Sequence, residues 1–358
     1  MTKQSLIKGN EAVAMAAIMA GCRKYFAYPI TPQNEIPEYM AAHMPEVGGV
    51  FLQAESELAA INMVYGAAAA GERAMTSTSG PGYSLMLEGI SGIARAELPV
   101  VLVLVMRGGP GIGSLENAQL DYFSATKGGG HGGYRNIVLA ASSVQELFDL
   151  TQLAFELADY YRVLVMLLVD GILGQIMEPI EIMPFSNGKT RSLPAKTWAL
   201  TGTGRQRPQN IISTMLMRED ETYQWHQRMA VKYQKIQAEE VRYDSYCLED
   251  ARIAVVAYGM TSRVAETAID ECREQGLPVG LIRPISLFPF PYQFISQYTH
   301  RIEGFLVTEV SMGQMVEDVR LAVNGRSEVS FVGRGGGLLS HQEITRGIRE
   351  LWLKLATK

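Results

Sequence analysis

The sequence has 358 residues, of which 47% are hydrophobic and 19% are charged, and its formal net charge is −5 at pH 7. A chain of this length favours two domains, and its apolar content is sufficient for a large core and argues against disorder. Mild acidity without a basic cluster makes nucleic acid and anionic membranes poor candidates for partners.

The cysteines and the N-terminus indicate the compartment. Cys22, Cys247 and Cys272 are far apart and form no CxxC pair, which excludes an iron–sulfur cluster or a zinc site built from them alone. We expect reduced thiols in a cytoplasmic protein. The N-terminus imitates a signal peptide, but residues 9–11 interrupt it and helical spacing follows. No apolar run approaches the roughly 20 residues of a membrane span.

Strands and helices alternate through the first half of the chain. Apolar patterns predict strands at 24–28, 50–53, 74–79, 99–106, 137–140 and 163–169, and helices at 34–43, 56–70, 83–96 and 144–160. Leu58, Ile61 and Tyr65 are predicted to share one face of the second of these helices. The alternation predicts an α/β fold with a doubly wound parallel sheet from residue 1 to about 185.

The pattern changes after residue 184. Residues 184–208 accumulate Gly, Ser, Thr and Pro, and 217–243 is predicted as a charged helix that packs between domains or against a partner. A second α/β pattern begins at 252, with strands at 253–258, 279–282, 305–310 and 329–332 and helices near 261–275, 313–324 and 341–355. We therefore expect one domain at 1–185, a linker and helical arm at 186–250, and a smaller α/β domain at 251–358.

One segment, 51–111, carries polar residues at the ends of predicted elements. Glu57 opens a helix, Ser79-Gly80-Pro81-Gly82 turns a strand into the next helix, and Arg107 follows the most apolar strand. Ligands of open α/β sheets collect beyond the carboxyl ends of the strands, where helix N-termini also point. This segment is therefore the predicted functional site. The glycine-rich loop that follows it, 108–133, is long enough to be functional or mobile.

Three familiar signatures are incomplete in this sequence. Gly188-Lys189-Thr190 ends like a phosphate loop, but Met183 stands where the first glycine is required. The glycine run at 333–337 fails as a dinucleotide fingerprint because Leu338 occupies the last glycine position. Neither GxSxG nor HExxH occurs. Kinase, nicotinamide-dependent and common hydrolase activities therefore lack their usual markers.

Four short motifs occur in a fixed order: Tyr28-Pro29-Ile30-Thr31-Pro32, Glu55-Ser56-Glu57, Thr78-Ser79-Gly80-Pro81-Gly82 and Arg107-Gly108-Gly109-Pro110-Gly111. The stretches at 119–122, 127–132 and 142–146 continue the series. Each motif is weak alone, but together they resemble the alpha subunit of 2-oxoacid:ferredoxin oxidoreductases, which are thiamine-diphosphate enzymes, over nearly the whole chain. The GGPG and TKGGGHG stretches look most like 2-oxoisovalerate (branched-chain) subunits, and 2-oxoglutarate subunits are the next relatives.

The resemblance implies a fold, a reaction and partners. It implies a pyrimidine-type thiamine-diphosphate domain at 1–185 and a transketolase-C-terminal-like domain at 251–358. The implied reaction decarboxylates a 2-oxo acid oxidatively to acyl-CoA, with coenzyme A as co-substrate and ferredoxin as electron acceptor. The sequence lacks the GDG…N signature for magnesium and diphosphate and any cysteine cluster. The family places the diphosphate and Mg²⁺ on a beta subunit and iron–sulfur clusters on partners of gamma and ferredoxin-like delta type, so no metal is expected on this chain.

The resemblance also implies roles for single residues. Glu57 would hydrogen-bond to the pyrimidine ring nitrogen of thiamine and promote its imino form. Glu55 is the competitor, and Glu57 is preferred because the family's acid takes the second position of the pair. Arg107 would bind the substrate carboxylate, and Thr31 would donate its hydroxyl to the substrate. Cofactor contacts are implied for Pro29, Ile30, Ser79, Gly80 and Gly82. The accessory candidates are Asp121, Lys127 and His131.

From the residues alone, each role has a structural alternative. Glu57 in a first helical turn favours the helix dipole by roughly 0.3–1 kcal/mol. The alternative for Arg107 is a strand-end arginine in solvent, for Thr31 a turn residue between prolines, and for the turn at 79–82 a phosphate cradle. For the whole protein, the alternatives are a 2-oxoglutarate enzyme, a non-catalytic scaffold subunit, and a related thiamine enzyme that works without ferredoxin.

Overall fold

The computed structural model describes residues 4–184, 191–215 and 217–357, so Gly188-Lys189-Thr190 lies outside the described residues. Its strands are β1 (Gln4–Lys8), β2 (Lys24–Ala27), β3 (Val50–Gln53), β4 (Ala74–Thr78), β5 (Val100–Met106), β6 (Ile137–Leu139), β7 (Leu164–Asp170), β8 (Met177–Glu181), β9 (Tyr243–Tyr246), β10 (Ile253–Val256), β11 (Val279–Pro284), β12 (Ser286–Phe288), β13 (Gly304–Glu309) and β14 (Glu328–Gly333). Its α-helices are α1 (Gly9–Met19), α2 (Glu35–His43), α3 (Glu57–Ala69), α4 (Gly80–Arg95), α5 (Tyr122–Thr126), α6 (Val144–Tyr161), α7 (Gly171–Gln175), α8 (Glu219–Glu239), α9 (Met260–Glu274), α10 (Tyr292–Tyr298), α11 (Met315–Val323) and α12 (His341–Ala356).

The larger sheet has seven strands in the order β12-β6-β7-β5-β4-β2-β3. Strands β2 to β7 pair in parallel, and β12 pairs antiparallel with β6. The central strand β5 is buried along its whole length, as its continuous apolar run predicts. Helices α3 and α4 cover one face, and α1, α2 and α6 cover the other. The predicted doubly wound α/β sheet is confirmed.

The smaller sheet has the order β14-β13-β10-β11-β9, parallel except for β9. Helices α9 and α12 pack on one face. The other face, with α10 and α11, belongs to the same hydrophobic core as α3 and α4 of the larger sheet. The two halves of the chain therefore share a continuous apolar core, which fixes the second half against the carboxyl edge of the first.

Two short strands cross between the halves of the chain. β12 comes from the second α/β pattern but extends the edge of the larger sheet, and β9 comes from the predicted arm but extends the smaller sheet. The domain boundaries predicted at 185/186 and 250/251 remain a prediction. None of the helices in the described ranges is long and apolar enough to cross a membrane.

The helix predicted at 217–243 is α8, and it packs on this chain. Trp225 is buried, its Nε1 donates to the Arg95 carbonyl at 3.2 Å, and the Arg95 guanidinium lies 4.5 Å from the indole centroid. Lys232 pairs with Glu97. The helix therefore packs against the C-terminal end of α4, and most of its exposed side chains are polar, Tyr223 and Val231 excepted.

The predicted apolar face of α3 is buried only in part. Leu58 is 49% exposed, whereas Ala60, Ile61 and Val64 are fully buried. The buried stripe of α3 is the side that faces α4, and Leu58 and Met63 lie outside that stripe. The loop predicted at 108–133 also contains the short helix α5.

Candidate functional site

The predicted site residues follow the carboxyl ends of four neighbouring strands. Thr31 lies after β2, Glu57 after β3, Ser79 after β4 and Arg107 after β5, and these strands are adjacent in the order β5-β4-β2-β3. Between β2 and β4 the connections diverge, because α2 leaves on one face of the sheet and α4 on the other. Such a switch point opens a crevice at the carboxyl edge, where α/β proteins bind ligands.

Glu57 is the first residue of α3, and it is buried with 5% of its surface exposed. The Ser56 hydroxyl caps the helix by accepting from the Ala59 N–H at 3.2 Å. The Glu57 carboxylate lies against Gly82, where an added Cβ would be 2.7 Å from Glu57 Cδ and closer still to Glu57 Oε1 and Thr78 Oγ1. Position 82 therefore requires glycine, while Glu55 is exposed to solvent.

Arg107 is 7% exposed and connects two loops at the mouth of the crevice. Its Nη1 donates to the Thr31 carbonyl at 2.9 Å, and its Nη2 donates to the Ile112 carbonyl at 2.8 Å. Its Nε is buried and has no hydrogen-bond partner among the described residues. Burial and two backbone anchors rule out a solvent-exposed strand-end arginine, and the guanidinium keeps donors free for an anion.

The loop after β2 is anchored by hydrogen bonds at Pro32, whereas its Thr31 side chain is exposed. The Pro32 carbonyl accepts from Asn10 Nδ2 at 2.8 Å and from Gln175 Nε2 at 2.9 Å. Thr31 is exposed, and its hydroxyl accepts from Asn34 Nδ2 at 3.3 Å. The hydroxyl hydrogen of Thr31 therefore remains available to a ligand.

The N-terminus of α4 is surrounded by polar atoms that lack partners. Ser79 is its N-cap residue, yet the buried Ser79 hydroxyl makes no capping hydrogen bond and has no partner in the part of the chain described. A Cβ on Gly80 would be 3.6 Å from both carboxylate oxygens of Asp121, whose Oδ2 is also buried without a partner there. Burial raises the pKa of Asp121 to about 6, although the positive charge of Arg107 lowers it.

The remaining predicted residues fall into two groups. Pro29 and Ile30 lie on the loop of Thr31, exposed and half-buried respectively. Lys127 does not join the site but pairs with the buried Asp318 of α11, which also accepts from the Tyr122 hydroxyl at 2.7 Å. Lys127 thus connects the glycine-rich loop to the second half of the chain.

His131 lies apart from Glu57 and Arg107. It is exposed, and it lines an open cavity with Glu88, Arg95 and Trp225 beside the last turns of α4. Those turns lie eight to fifteen residues from the N-terminus of that helix, which corresponds to about 12–22 Å along its axis.

The structure adds two buried polar residues that the sequence patterns did not single out as site residues. Asp170 ends β7, next to β5; its Oδ2 accepts from the Met260 N–H at 2.6 Å, and burial raises its pKa to about 7. Gln119 donates to the Tyr258 carbonyl at 3.2 Å and accepts from the Val310 N–H at 2.9 Å. Together they seat the second half of the chain over the carboxyl edge. The sequence does contain a pattern that could have identified Asp170, namely an acidic residue at the end of an apolar strand.

Comparisons with known proteins identify the family of the chain. Residues 15–244 match the family model "Pyruvate flavodoxin/ferredoxin oxidoreductase, thiamine diP-bdg", and residues 251–344 match "Pyruvate:ferredoxin oxidoreductase core domain II". The ketoisovalerate oxidoreductase subunit VorB of Methanothermobacter marburgensis is 49% identical over 347 residues, which are 97% of both chains. The 2-oxoglutarate synthase subunit KorA of Methanothermobacter thermautotrophicus is 36% identical, over 96% of this chain and 97% of its own.

Solved structures show the same relationship. The 2-oxoglutarate:ferredoxin oxidoreductase from Magnetococcus marinus, solved with 2-oxoglutarate, coenzyme A and succinyl-CoA bound, superposes with a TM-score of 0.86 at 27% identity. The match covers 98% of this chain, which spans 65% of that chain. An inactive split-gene transketolase tetramer, with a TM-score of 0.61 at 13% identity, shares the fold. The predicted transketolase-like α/β fold is confirmed.

Family models and relatives together cover nearly the whole chain. The family model that matches residues 15–244 is described as thiamine-diphosphate-binding, and the relatives are subunits of oxidoreductases. The chain thus belongs to the 2-oxoacid:ferredoxin oxidoreductases, as a subunit of such an enzyme.

Proposed function

We propose that the chain is the alpha subunit of an enzyme that oxidatively decarboxylates a branched-chain 2-oxo acid, 2-oxoisovalerate, to acyl-CoA and passes the electrons to ferredoxin. The choice of substrate is supported by the 49% identity to a ketoisovalerate oxidoreductase subunit. The observation that carries the catalytic role is the buried Glu57 carboxylate, held against a glycine that has no space for a side chain.

The crevice residues fit the pyrimidine side of thiamine diphosphate. The Ser79 hydroxyl, Asp121 Oδ2 and Arg107 Nε are buried without partners in the described ranges, and such atoms are normally satisfied in the folded state by protein, water or a ligand. Gly82 leaves the Glu57 carboxylate uncovered by a side chain on that side. Pro29, Ile30, Ser79, Gly80 and Gly82 are proposed to line the cofactor.

Thiamine diphosphate, when bound, supplies a carbon nucleophile and an electron sink for decarboxylation. In this proposal Glu57 holds a proton between its carboxylate and the pyrimidine ring nitrogen, which favours the imino form of the ring. A carboxylate with 5% exposure keeps that proton away from water, so the hydrogen bond is stronger than it would be in solvent.

Arg107 and Thr31 are proposed to bind and orient the 2-oxo acid. The Arg107 guanidinium is fixed by the Thr31 and Ile112 carbonyls, so little side-chain entropy remains to be lost when it donates to a substrate carboxylate. The Thr31 hydroxyl lies on the same anchored loop and can donate to the substrate. Lys127 and His131 remain accessory candidates.

We further propose that the site is completed by partners. A beta subunit would supply the diphosphate site and Mg²⁺, and gamma and ferredoxin-like delta subunits would complete the complex. Iron–sulfur clusters on the partner subunits would pass the electrons to ferredoxin. Coenzyme A would accept the acyl group. The relatives are subunits of oxidoreductases, which supports a hetero-oligomer. A cytoplasmic location is part of the proposal, and the unpaired, buried Cys22 and Cys272 support it.

Glu57→Gln in the reconstituted complex tests the catalytic role. The amide cannot share a proton with the ring nitrogen in the same way, so acyl-CoA formation is expected to fall by about 10²–10⁴-fold, while assembly survives because the two side chains have the same shape. Glu55→Gln is the matched control: the same substitution two residues away, on an exposed side chain, should leave the rate unchanged. Equal rates for both variants would contradict the proposal and favour a scaffold subunit.

The substrate is tested separately. The kcat/KM of the co-expressed complex should be highest for 2-oxoisovalerate among 2-oxoisovalerate, 2-oxoglutarate and pyruvate. Preference for 2-oxoglutarate would support the second candidate, which the Magnetococcus marinus structure and the 36% identical relative favour. Turnover by a complex that contains no iron, measured after anaerobic purification, would instead indicate a thiamine enzyme independent of ferredoxin.

A further inference from the structure

Asp121 lies at the N-terminus of α4, next to Gly80 of the proposed cofactor site. It is the N-cap residue of α5, its carboxylate lies over the Gly80 backbone at the start of α4, and its Oδ2 is buried without a partner in the described residues. Arg107 is near enough to lower the pKa of Asp121 by its charge, and Arg107 Nε also lacks a partner. A buried carboxylate and a buried guanidinium thus lie within electrostatic reach of each other, each with an unpartnered atom, and no hydrogen bond joins them among the described contacts.

This placement creates a conflict when an anionic substrate binds. A 2-oxo acid docked on Arg107 would bring a second carboxylate to the same guanidinium, beside Asp121. Two carboxylates that share one buried site cannot easily both be ionised, and one of them takes up a proton. The substrate carboxylate is the more acidic of the two, because an adjacent carbonyl group withdraws electrons from it, so the proton goes to Asp121.

We propose that Asp121 takes up one proton from solvent as the 2-oxo acid docks on Arg107, so that the substrate carboxylate meets a neutral carboxylic acid rather than a second anion. This inference rests on the proposed role of Arg107. Asp121 is then a positioning residue: it sets the charge of the substrate site and leaves the carbon chemistry to other groups.

Three ionisable groups of the described residues face Asp121, and none of them titrates near neutral pH. These groups are Arg107 after β5, Tyr83 on α4 and Tyr258 after β10. Burial raises the pKa of both tyrosine hydroxyls above the usual value of the phenol, so both remain neutral, and an arginine does not lose its proton in this range. Asp121 starts from a pKa of about 6, so a modest further rise protonates it at neutral pH.

The expected signature is a substrate affinity that weakens as the pH rises. If only the protonated form binds substrate, KM for 2-oxoisovalerate increases between about pH 6 and pH 8 by up to about 50-fold, while kcat changes less. Asp121→Asn, which is neutral at every pH, should show a low KM that does not change over this range. Asp149→Asn is the control, since Asp149 is a partly buried acid of α6 with a raised pKa, and it should keep the wild-type profile.

Two outcomes would overturn the inference: a wild-type KM that is constant between pH 6 and pH 8, or an Asp121→Asn complex that retains the wild-type rise. If the Asp121→Asn variant fails to fold, the Ki of 3-methylbutanoate for the wild-type complex provides the same test. This unreactive carboxylate should also bind more weakly as the pH rises, and a Ki that does not change with pH would refute the inference. Arg107→Gln distinguishes failure of this inference from failure of the proposed function. An unchanged KM in that variant would contradict the role of Arg107 in substrate binding, whatever the behaviour of Asp121.

Discussion

Gly82→Ala is expected to inactivate the complex while leaving the chain folded. An added Cβ would be 2.7 Å from Glu57 Cδ, and since Cβ atoms rarely approach other atoms within 3.0 Å, the Glu57 carboxylate must move by about 1 Å, a displacement that costs on the order of 10²-fold in rate. Overpacking destabilises by about 1–3 kcal/mol, and the better helix propensity of alanine offsets up to about 1 kcal/mol of this. The net loss of roughly 0–2 kcal/mol leaves most domains folded.

The assay combines acyl-CoA formation with the thermal melting temperature of the complex. Gly92→Ala is the matched control in the same helix, because a Cβ there would make ordinary contacts of 3.7 Å with Thr214 and Tyr65. We expect that control to keep full activity and to be at least as stable as the wild type. A Gly82→Ala complex with a rate within twofold of the wild type would refute the view that position 82 exists as glycine to place the Glu57 carboxylate.

Three further substitutions test other parts of the structure. Arg107→Lys removes the guanidinium that donates to two carbonyls at 2.8 and 2.9 Å. KM for the 2-oxo acid should rise by about 10–100-fold, which corresponds to the loss of one charge-assisted hydrogen bond. An unchanged KM in steady-state kinetics would contradict this prediction. Trp225→Ala removes the buried anchor of α8 and should destabilise the chain by about 3–5 kcal/mol, with faster proteolysis within α8; unchanged denaturant unfolding and cleavage would show that the helix is held otherwise. Burial raises the pKa of Asp170 to about 7, above its value in the unfolded chain, so the folded state binds more protons and the contribution of this group to stability falls as the pH rises from about 4 to 7. Asp170→Asn should therefore flatten the plot of melting temperature against pH over this range. A plot identical to that of the wild type would refute this role of Asp170.

The sequence was most informative where the chain repeats a local pattern. β3 and β5 lie where their apolar residues predict them, and the ends of α9 and α12 deviate from the predicted ones by at most one residue. Such elements carry their own hydrophobic face, so their positions can be read without knowledge of their partners.

Short strands that depend on distant pairing could not be read in this way. β12 has three residues and forms only because it pairs with β6, almost 150 positions earlier, and β9 likewise requires β11. The exposure of Leu58 on α3 could not be read from the sequence either, because apolar spacing shows a stripe but not how much of it a neighbouring element covers.

The sequence predicted that the site lies at the ends of strands and helices, but not which of its side chains are buried or what they contact. The burial of Glu57 and the exposure of Glu55 depend on how α3 meets α4. Lys127 and His131 look alike in sequence as polar residues of one glycine-rich loop, yet one pairs with Asp318 and the other lies beside the far end of α4. Such differences arise from the path of the loop, which local patterns do not encode.

The central claim is that Glu57 shares a proton with the thiamine ring in the assembled enzyme. Exchange of the hydrogen on the thiazolium carbon for deuterium, measured by NMR after acid quench of the complex in deuterium oxide, reports on that proton most directly. We predict that Glu57→Gln slows this exchange by about 10²–10⁴-fold, while Glu55→Gln exchanges at the wild-type rate. Exchange at the wild-type rate in the Glu57→Gln complex would contradict the account.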